Sequence, residues 1–90
     1  MNNYLQRYRN AIANFNGDNE EQFEKEMTQL FTEAIEAGDR RMAMELQDCI
    51  ITAYENGAPV NAYMADFHLL IKHFPDVAIQ TLEILKSFEN

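Results

Sequence analysis

The chain has 90 residues, 47% of them hydrophobic, and a formal net charge of −8. This length predicts a single domain, 1–90, with a small core, and the hydrophobic content is too high for a disordered chain. The negative charge opposes direct binding to nucleic-acid phosphates or to an anionic membrane surface, and it is compatible with a basic protein partner or with a surface that only confers solubility.

Cysteine usage and the distribution of apolar residues add further limits. The one cysteine, Cys49, cannot form a disulfide within the chain, which fits a reducing compartment. No apolar run approaches the length of a membrane-spanning helix, and the N-terminus lacks the features of a signal peptide. We therefore expect a cytoplasmic protein that does not enter a membrane.

Apolar residues recur at three- and four-residue spacing along the first half of the chain, which predicts amphipathic helices. The first helix is expected over about 3–15 and ends before Gly17. Asp18 is expected to cap the second helix, with Glu21 three residues later completing a capping box, and that helix extends to about residue 37.

Three more helices are expected after Gly38. Asp39 is placed to cap a helix over 40–56, and Pro59 suits the first turn of a helix that runs to residue 73. A fifth helix is expected over 75–88, since a proline disfavours helical geometry at the residue before it. Boundaries are therefore predicted near Gly17, Gly38, Gly57 and Pro75.

The short connections predict a compact all-α bundle of about five short helices, or a short α-solenoid-like arrangement of them. No alternating pattern typical of a strand is present. The residues in the middle of the central apolar stripes are expected to be almost fully buried: Phe31, Leu46, Ile50, Phe67 and Leu70.

Residues suited to catalysis or metal binding are sparse. Ser87 is the only serine, so a serine nucleophile is not expected, and Cys49 lies on an apolar stripe without a neighbouring base, as a core thiol does. His68 and His73 are five residues apart, whereas metal-binding pairs on a helix are three or four apart. We expect no catalytic residue, metal site or cofactor.

The second predicted helix is strongly acidic. Residues 16–39 hold eight acidic residues and one basic residue. The acids at the helix start have a local explanation, because they interact favourably with the helix dipole. Glu26, Glu33 and Glu36 line one flank of the apolar stripe, Glu24 lies on the other flank and Glu20 is in the first turn. This surface is either a solvated face or a docking surface for a basic groove.

Some apolar residues lie outside the main stripes. Met44 and Ile51 are on the opposite face of the third predicted helix, and Leu69 and Ile79 are similarly placed on the last two helices. Either the third helix is central and buried on two sides, or Met44 and Ile51 belong to an apolar contact patch.

These patterns predict a small, acidic, non-enzymatic protein-binding protein. The leading hypothesis is an inhibitor or adaptor that occludes a positively charged site on a partner protein, for example a nucleic-acid-binding site, as phage anti-defence and immunity proteins do. The alternative is a structural helical subunit that forms a homodimer through the apolar residues outside the main stripes. The residues predicted to bind a partner are Glu20, Glu24, Glu26, Glu33, Glu36, Met44 and Ile51.

Overall fold

The computed structural model describes residues 3–89 and contains no strand in that range. The all-α prediction is therefore confirmed for the described chain. The elements in chain order are α1 (Tyr4–Ala13), α2 (Glu20–Glu36), α3 (Arg40–Glu55), one 3₁₀ turn (Val60–Ala62), α4 (Met64–His73) and α5 (Pro75–Ser87).

The ends of α2 and α3 follow from glycine and one aspartate. Gly38 has a φ of 86°, a left-handed conformation, and the amide of Asp39 donates back to the Ala34 carbonyl at 2.9 Å. The same arrangement closes α3 at Gly57. Asp39 also caps α3, since its side chain accepts a hydrogen bond from the Met42 amide at 3.1 Å.

The capping box predicted for α2 is wrong. The residue that precedes α2 is Asn19, and no side chain caps its first turn. The loop binds itself instead, because the Asp18 amide donates to Asn16 Oδ1 at 3.0 Å and the Asn16 amide donates to Asn19 Oδ1 at 3.3 Å. Hydrogen bonds from asparagine side chains to the nearby backbone compete with helix capping, and in this loop the turn forms and the cap does not.

The fourth helix also begins later than predicted. Pro59 has an extended conformation, with φ −66° and ψ 151°, so it lies outside the helix and does not form its first turn. Its carbonyl accepts from the Ala62 amide at 2.9 Å, which produces the 3₁₀ turn. The α-helix starts only at Met64.

Helix α3 is central, because it packs against all four other α-helices. It runs parallel to α5, as three contacts along the two helices show. Arg40 pairs with Asp76 near both helix starts, and Gln47 Nε2 donates to Thr81 Oγ1 at 3.1 Å in the middle. At the far end, the rings of Tyr54 and Phe88 stack with their centroids 6.1 Å apart. Helix α2 packs on α4. The α2–α3 and α4–α5 hairpins are thus stacked, as in a short α-solenoid.

Helix α1 lies antiparallel along α2. The Tyr8 and Phe31 rings meet edge to face with centroids 5.4 Å apart, and the Phe15 and Phe23 rings lie 4.7 Å apart at the other end. None of the residues of α1 is buried, so this helix covers the core with side chains that remain partly in solvent. Aromatic pairs of this kind add a modest stabilisation beyond their buried area.

The core lies between α2, α3 and the inner sides of α4 and α5. Its buried apolar residues are Leu30, Phe31, Ala34, Ile35, Met42, Ala43, Leu46, Ile50, Tyr63, Leu70, Val77 and Ala78. Four of the five residues expected in the core are among them. The expectation for Phe67 is wrong, since its side chain is only half-buried at the edge of a groove between α4 and α5.

Candidate functional site

The acidic segment, residues 18–36, carries most of the protein's charge. It holds seven acidic residues and one basic residue, so it contributes −6 of the formal net charge of −8. All seven acidic residues are exposed. The segment consists of the loop before α2 and the whole of that helix, and a helix holds its side chains at fixed intervals of about 1.5 Å per residue along the axis.

On the α1 side of the acidic segment, the carboxylates have polar neighbours. Arg7 Nη1 lies 3.4 Å from Glu33 Oε2, and both side chains are about half exposed, at 50% and 44%. Gln29 also donates to Glu33, at 3.3 Å, and Gln22 donates to Glu26 at 3.4 Å. Helical spacing within α2 could not predict the Arg7–Glu33 pair, because the two residues are 26 positions apart and meet only when α1 folds back onto α2.

The other predicted acidic residues lack side-chain partners in the part of the chain that the structure describes. The carboxylates of Glu20, Glu24 and Glu36 make no hydrogen bond or ion pair with any residue in the range 3–89. Arg40, the base nearest to Glu36 in helical spacing, pairs with Asp76 on α5. These three side chains are therefore available to an external cation.

Glu24 lies at the rim of a cleft of about 520 Å³ between α2, α3 and α4. Phe31 and Leu46 contribute to its apolar lining, and Asp66 lies on the α4 side. Burial raises the pKa of the Asp66 carboxyl, which makes no hydrogen bond or ion pair within residues 3–89. Sequence reasoning missed Asp66, since nothing in the pattern of α4 indicates that it faces α2.

The predicted apolar contact residues on α3 do not form one exposed patch. Met44 is 38% exposed, but Ile51 is half-buried. The packing of α3 on four helices explains why it carries apolar residues on more than one face. Leu69 is half-buried against the core, whereas Ile79 is 61% exposed. Partner binding by Met44 and Ile51 stays a prediction.

Ile79 belongs to a second surface, which the sequence only partly indicated. It lines a groove of about 310 Å³ between α4 and α5, named the α4–α5 groove from here on. Ala78 contributes to the α5 side together with Leu82, and Phe67 and Ile71 form the α4 side. Ile71 and Leu82 are also exposed, at 47% and 44%.

The chemistry around Cys49 does not resemble an activated nucleophile. The thiol is half-buried, and its nearest polar neighbour is the Tyr8 hydroxyl, with Oη and Sγ 3.8 Å apart. Burial raises the pKa of Cys49 and that of Tyr8, so both groups hold their protons at neutral pH and neither is a base for the other. Within residues 3–89, no three metal-ligating side chains gather at one place.

Among the described helices, none is both long enough and apolar enough to cross a membrane. Comparisons of the chain with models of protein families, with curated proteins and with solved structures found no match.

Proposed function

We propose that this protein is a non-enzymatic binding protein whose acidic segment docks on a basic surface of a protein partner and occludes it. The observation that carries the proposal is the concentration of charge, with −6 on the exposed face of α2 and the loop before it. Only two of the seven carboxylates, Glu21 and Glu33, have an ion-pair partner among residues 3–89. The field of the others extends into solvent.

The spacing of these charges suits a partner that binds nucleic acid. Glu20 and Glu24, which have no ion-pair partner among residues 3–89, are four residues apart, which is about 6 Å along a helix axis. Backbone phosphates repeat over distances of the same order, so basic groups arranged for phosphates can also meet carboxylates on a rigid helix. The protein would then act as an inhibitor or adaptor, as phage anti-defence and immunity proteins do.

The competing explanation is that the acidic segment is a solvated face. That explanation accounts for solubility but requires no specific placement of the charges. The two explanations differ in one measurable respect: docking depends on where the charges are, whereas solubility depends mainly on how many there are.

The test compares two variants of equal charge. Glu26→Lys combined with Glu36→Lys changes the acidic segment, and Asp48→Lys combined with Glu55→Lys changes exposed positions on α3. Each pair of substitutions removes two negative charges and adds two positive ones, which brings the formal charge from −8 to −4. Glu33 is left unchanged because its reversal would also break the ion pair with Arg7.

The wild-type protein and both variants are immobilised and exposed to an extract of the source cells at low and high salt. We expect a basic protein to be retained by the wild type and by the α3 variant, and to be lost from the acidic-segment variant and from all three at high salt. With the purified partner, the acidic-segment variant should associate at least about tenfold more slowly. Equal retention by all three proteins would mean that the acidic segment is only a solvated face.

A further inference from the structure

The chain contains two Asn-Gly pairs, Asn16–Gly17 and Asn56–Gly57. An asparagine in this context can lose its amide group without an enzyme, because the backbone nitrogen of the next residue can attack the carbonyl carbon of the side chain. Glycine favours this attack, since it has no side chain to obstruct it. All four residues are exposed, so accessibility to solvent does not distinguish the two pairs. The hydrogen bonds around them do distinguish them.

The second pair lies in the turn that closes α3. The Gly57 amide donates to the Tyr54 carbonyl at 3.0 Å. The next amide, that of Ala58, donates to the Ala53 carbonyl, also at 3.0 Å. Both bonds hold the backbone around Asn56, which ends the helix with φ −83° and ψ 3°. The nitrogen that would have to attack is therefore already bonded, and it can react only after the turn opens.

The first pair lies in the loop between α1 and α2, outside both helices. Within residues 3–89, the Gly17 amide donates to no other group. The Asn16 side chain extends forward over Gly17, because its Oδ1 accepts a hydrogen bond from the Asp18 amide at 3.0 Å. This donor also stabilises the negative charge that develops on Oδ1 when the carbonyl carbon is attacked. The loop thus exposes the attacking nitrogen and activates the carbon that it attacks.

We propose that Asn16 is a site of spontaneous deamidation and that Asn56 is protected from the same reaction by the turn that closes α3. The Gly17 nitrogen gives up its proton to base in the solvent and bonds to Cγ of Asn16, and the side-chain nitrogen leaves as ammonia. The resulting cyclic imide then takes up a water molecule and opens at either of its carbonyl carbons. The products are aspartate and isoaspartate, and no oxidant or reductant takes part.

The reaction changes both the charge and the connectivity of the loop. A neutral amide becomes a carboxylate, so the formal net charge goes from −8 to −9. The added charge lies two residues before Asp18, where the acidic segment starts. In the isoaspartate product, the main chain passes through the former side chain, which lengthens the loop by one carbon atom. The reaction requires no partner, so the inference is independent of the proposed function.

The first test measures deamidation at both asparagines in the folded protein and in the same chain unfolded in guanidinium chloride. Samples are incubated at neutral and mildly alkaline pH, digested in acid, and analysed by mass spectrometry for the replacement of an amide NH₂ by OH. In the folded protein we expect a rate at least about tenfold higher at Asn16 than at Asn56, since opening the α3 turn breaks two hydrogen bonds. In the unfolded chain the two rates should become similar.

Three results of this test would overturn the proposal. One is a rate at Asn16 no higher than that at Asn56 in the folded protein. Another is a folded protein in which Asn16 stays intact under conditions that deamidate it in the unfolded chain. The third is the same preference for Asn16 in the folded and unfolded chains, because the flanking sequence and not the hydrogen bonds would then cause it.

The second test uses the matched variants Asn16→Gln and Asn56→Gln. Glutamine keeps the amide group, but its longer side chain has to close a larger ring, which slows the reaction. Ion-exchange chromatography of the native protein separates the more acidic deamidated form, and circular dichroism verifies that both variants fold. The acidic form should accumulate in aged wild type and in Asn56→Gln, and be absent from Asn16→Gln. An acidic form that persists in Asn16→Gln would overturn the assignment to Asn16.

Discussion

Helices α2 and α5 both pack against the central α3 and present different chemistry to solvent. α2 displays carboxylates, whose field extends about 10 Å at moderate salt and weakens as salt is added. α5 displays Ile79 and Leu82, which interact only on contact and depend little on salt. One small domain thus carries two surfaces with separable responses, since ionic strength acts on the first and leaves the second nearly unchanged.

The largest expected effect is on stability, and it contrasts buried positions on α3 with exposed positions on α5. Leu46→Ala, at a position only 1% exposed, should lower the free energy of unfolding by about 2–5 kcal/mol. Ile79→Ala should change it by less than about 0.5 kcal/mol in the monomer, and Phe67→Ala should fall between the two because Phe67 is half-buried. Urea denaturation at low protein concentration measures the free energy of unfolding of all three variants. If Ile79→Ala lowered it as much as Leu46→Ala does, the side chain of Ile79 would have to be buried in the monomer.

A smaller effect distinguishes the start of α2 from the start of α3. Asp39→Ala removes a side-chain bond to the Met42 amide and should destabilise the protein by about 1 kcal/mol. Asp18→Ala removes no cap, because α2 begins at Glu20 without one, and should cost less than about 0.5 kcal/mol. Thermal unfolding of both variants provides the measurement. If Asp18→Ala lowered stability as much as Asp39→Ala does, the capping box predicted for α2 would be correct after all.

The smallest effect concerns pH and the cleft beside the acidic segment. Burial raises the pKa of Asp66 above its ordinary value of 3.8, so the folded protein holds this proton more tightly than the unfolded chain. The associated stability is complete below the unfolded pKa and is lost as pH rises through the folded pKa. Asp66→Asn should therefore gain stability relative to the wild type as pH rises from acid to neutral, as denaturation at several pH values will measure.

The comparison for Asp66→Asn is the wild-type protein, measured by denaturation at the same pH values. A pH profile for Asp66→Asn parallel to that of the wild type would mean that the Asp66 carboxyl is fully hydrated in the folded protein.

Local sequence features predicted the helices well where glycine or an apolar stripe decided the outcome. Gly38 and Gly57 adopt the left-handed conformation that ends a helix, and Asp39 caps the helix that follows. These outcomes depend on residues within one turn of each other, so their physics is contained in a short stretch of chain. The central stripes predicted Leu46 and Ile50 in the core for the same reason.

The failures occurred where several parts of the chain compete or meet. Asn16 and Asn19 bond to the loop backbone and displace the cap expected at Asp18. Gln47 is buried because Thr81, 34 residues away, accepts a hydrogen bond from its amide, and nothing in the apolar pattern of α3 foretold that contact. Phe67 lies on a predicted stripe, but α5 covers only part of it.

Composition and local spacing are enough to specify an acidic, all-helical domain, because charge and periodicity can be read within a few turns of chain. Which stripe residues are covered and which charges are paired depends on how the helices pack. Arg7 neutralises Glu33 only after α1 folds onto α2, and Ile71, Ile79 and Leu82 become a surface only because the stack of hairpins ends at α5 within the described chain. Burial and ion pairing depend on neighbours distant in sequence, and helical spacing carries no information about those neighbours.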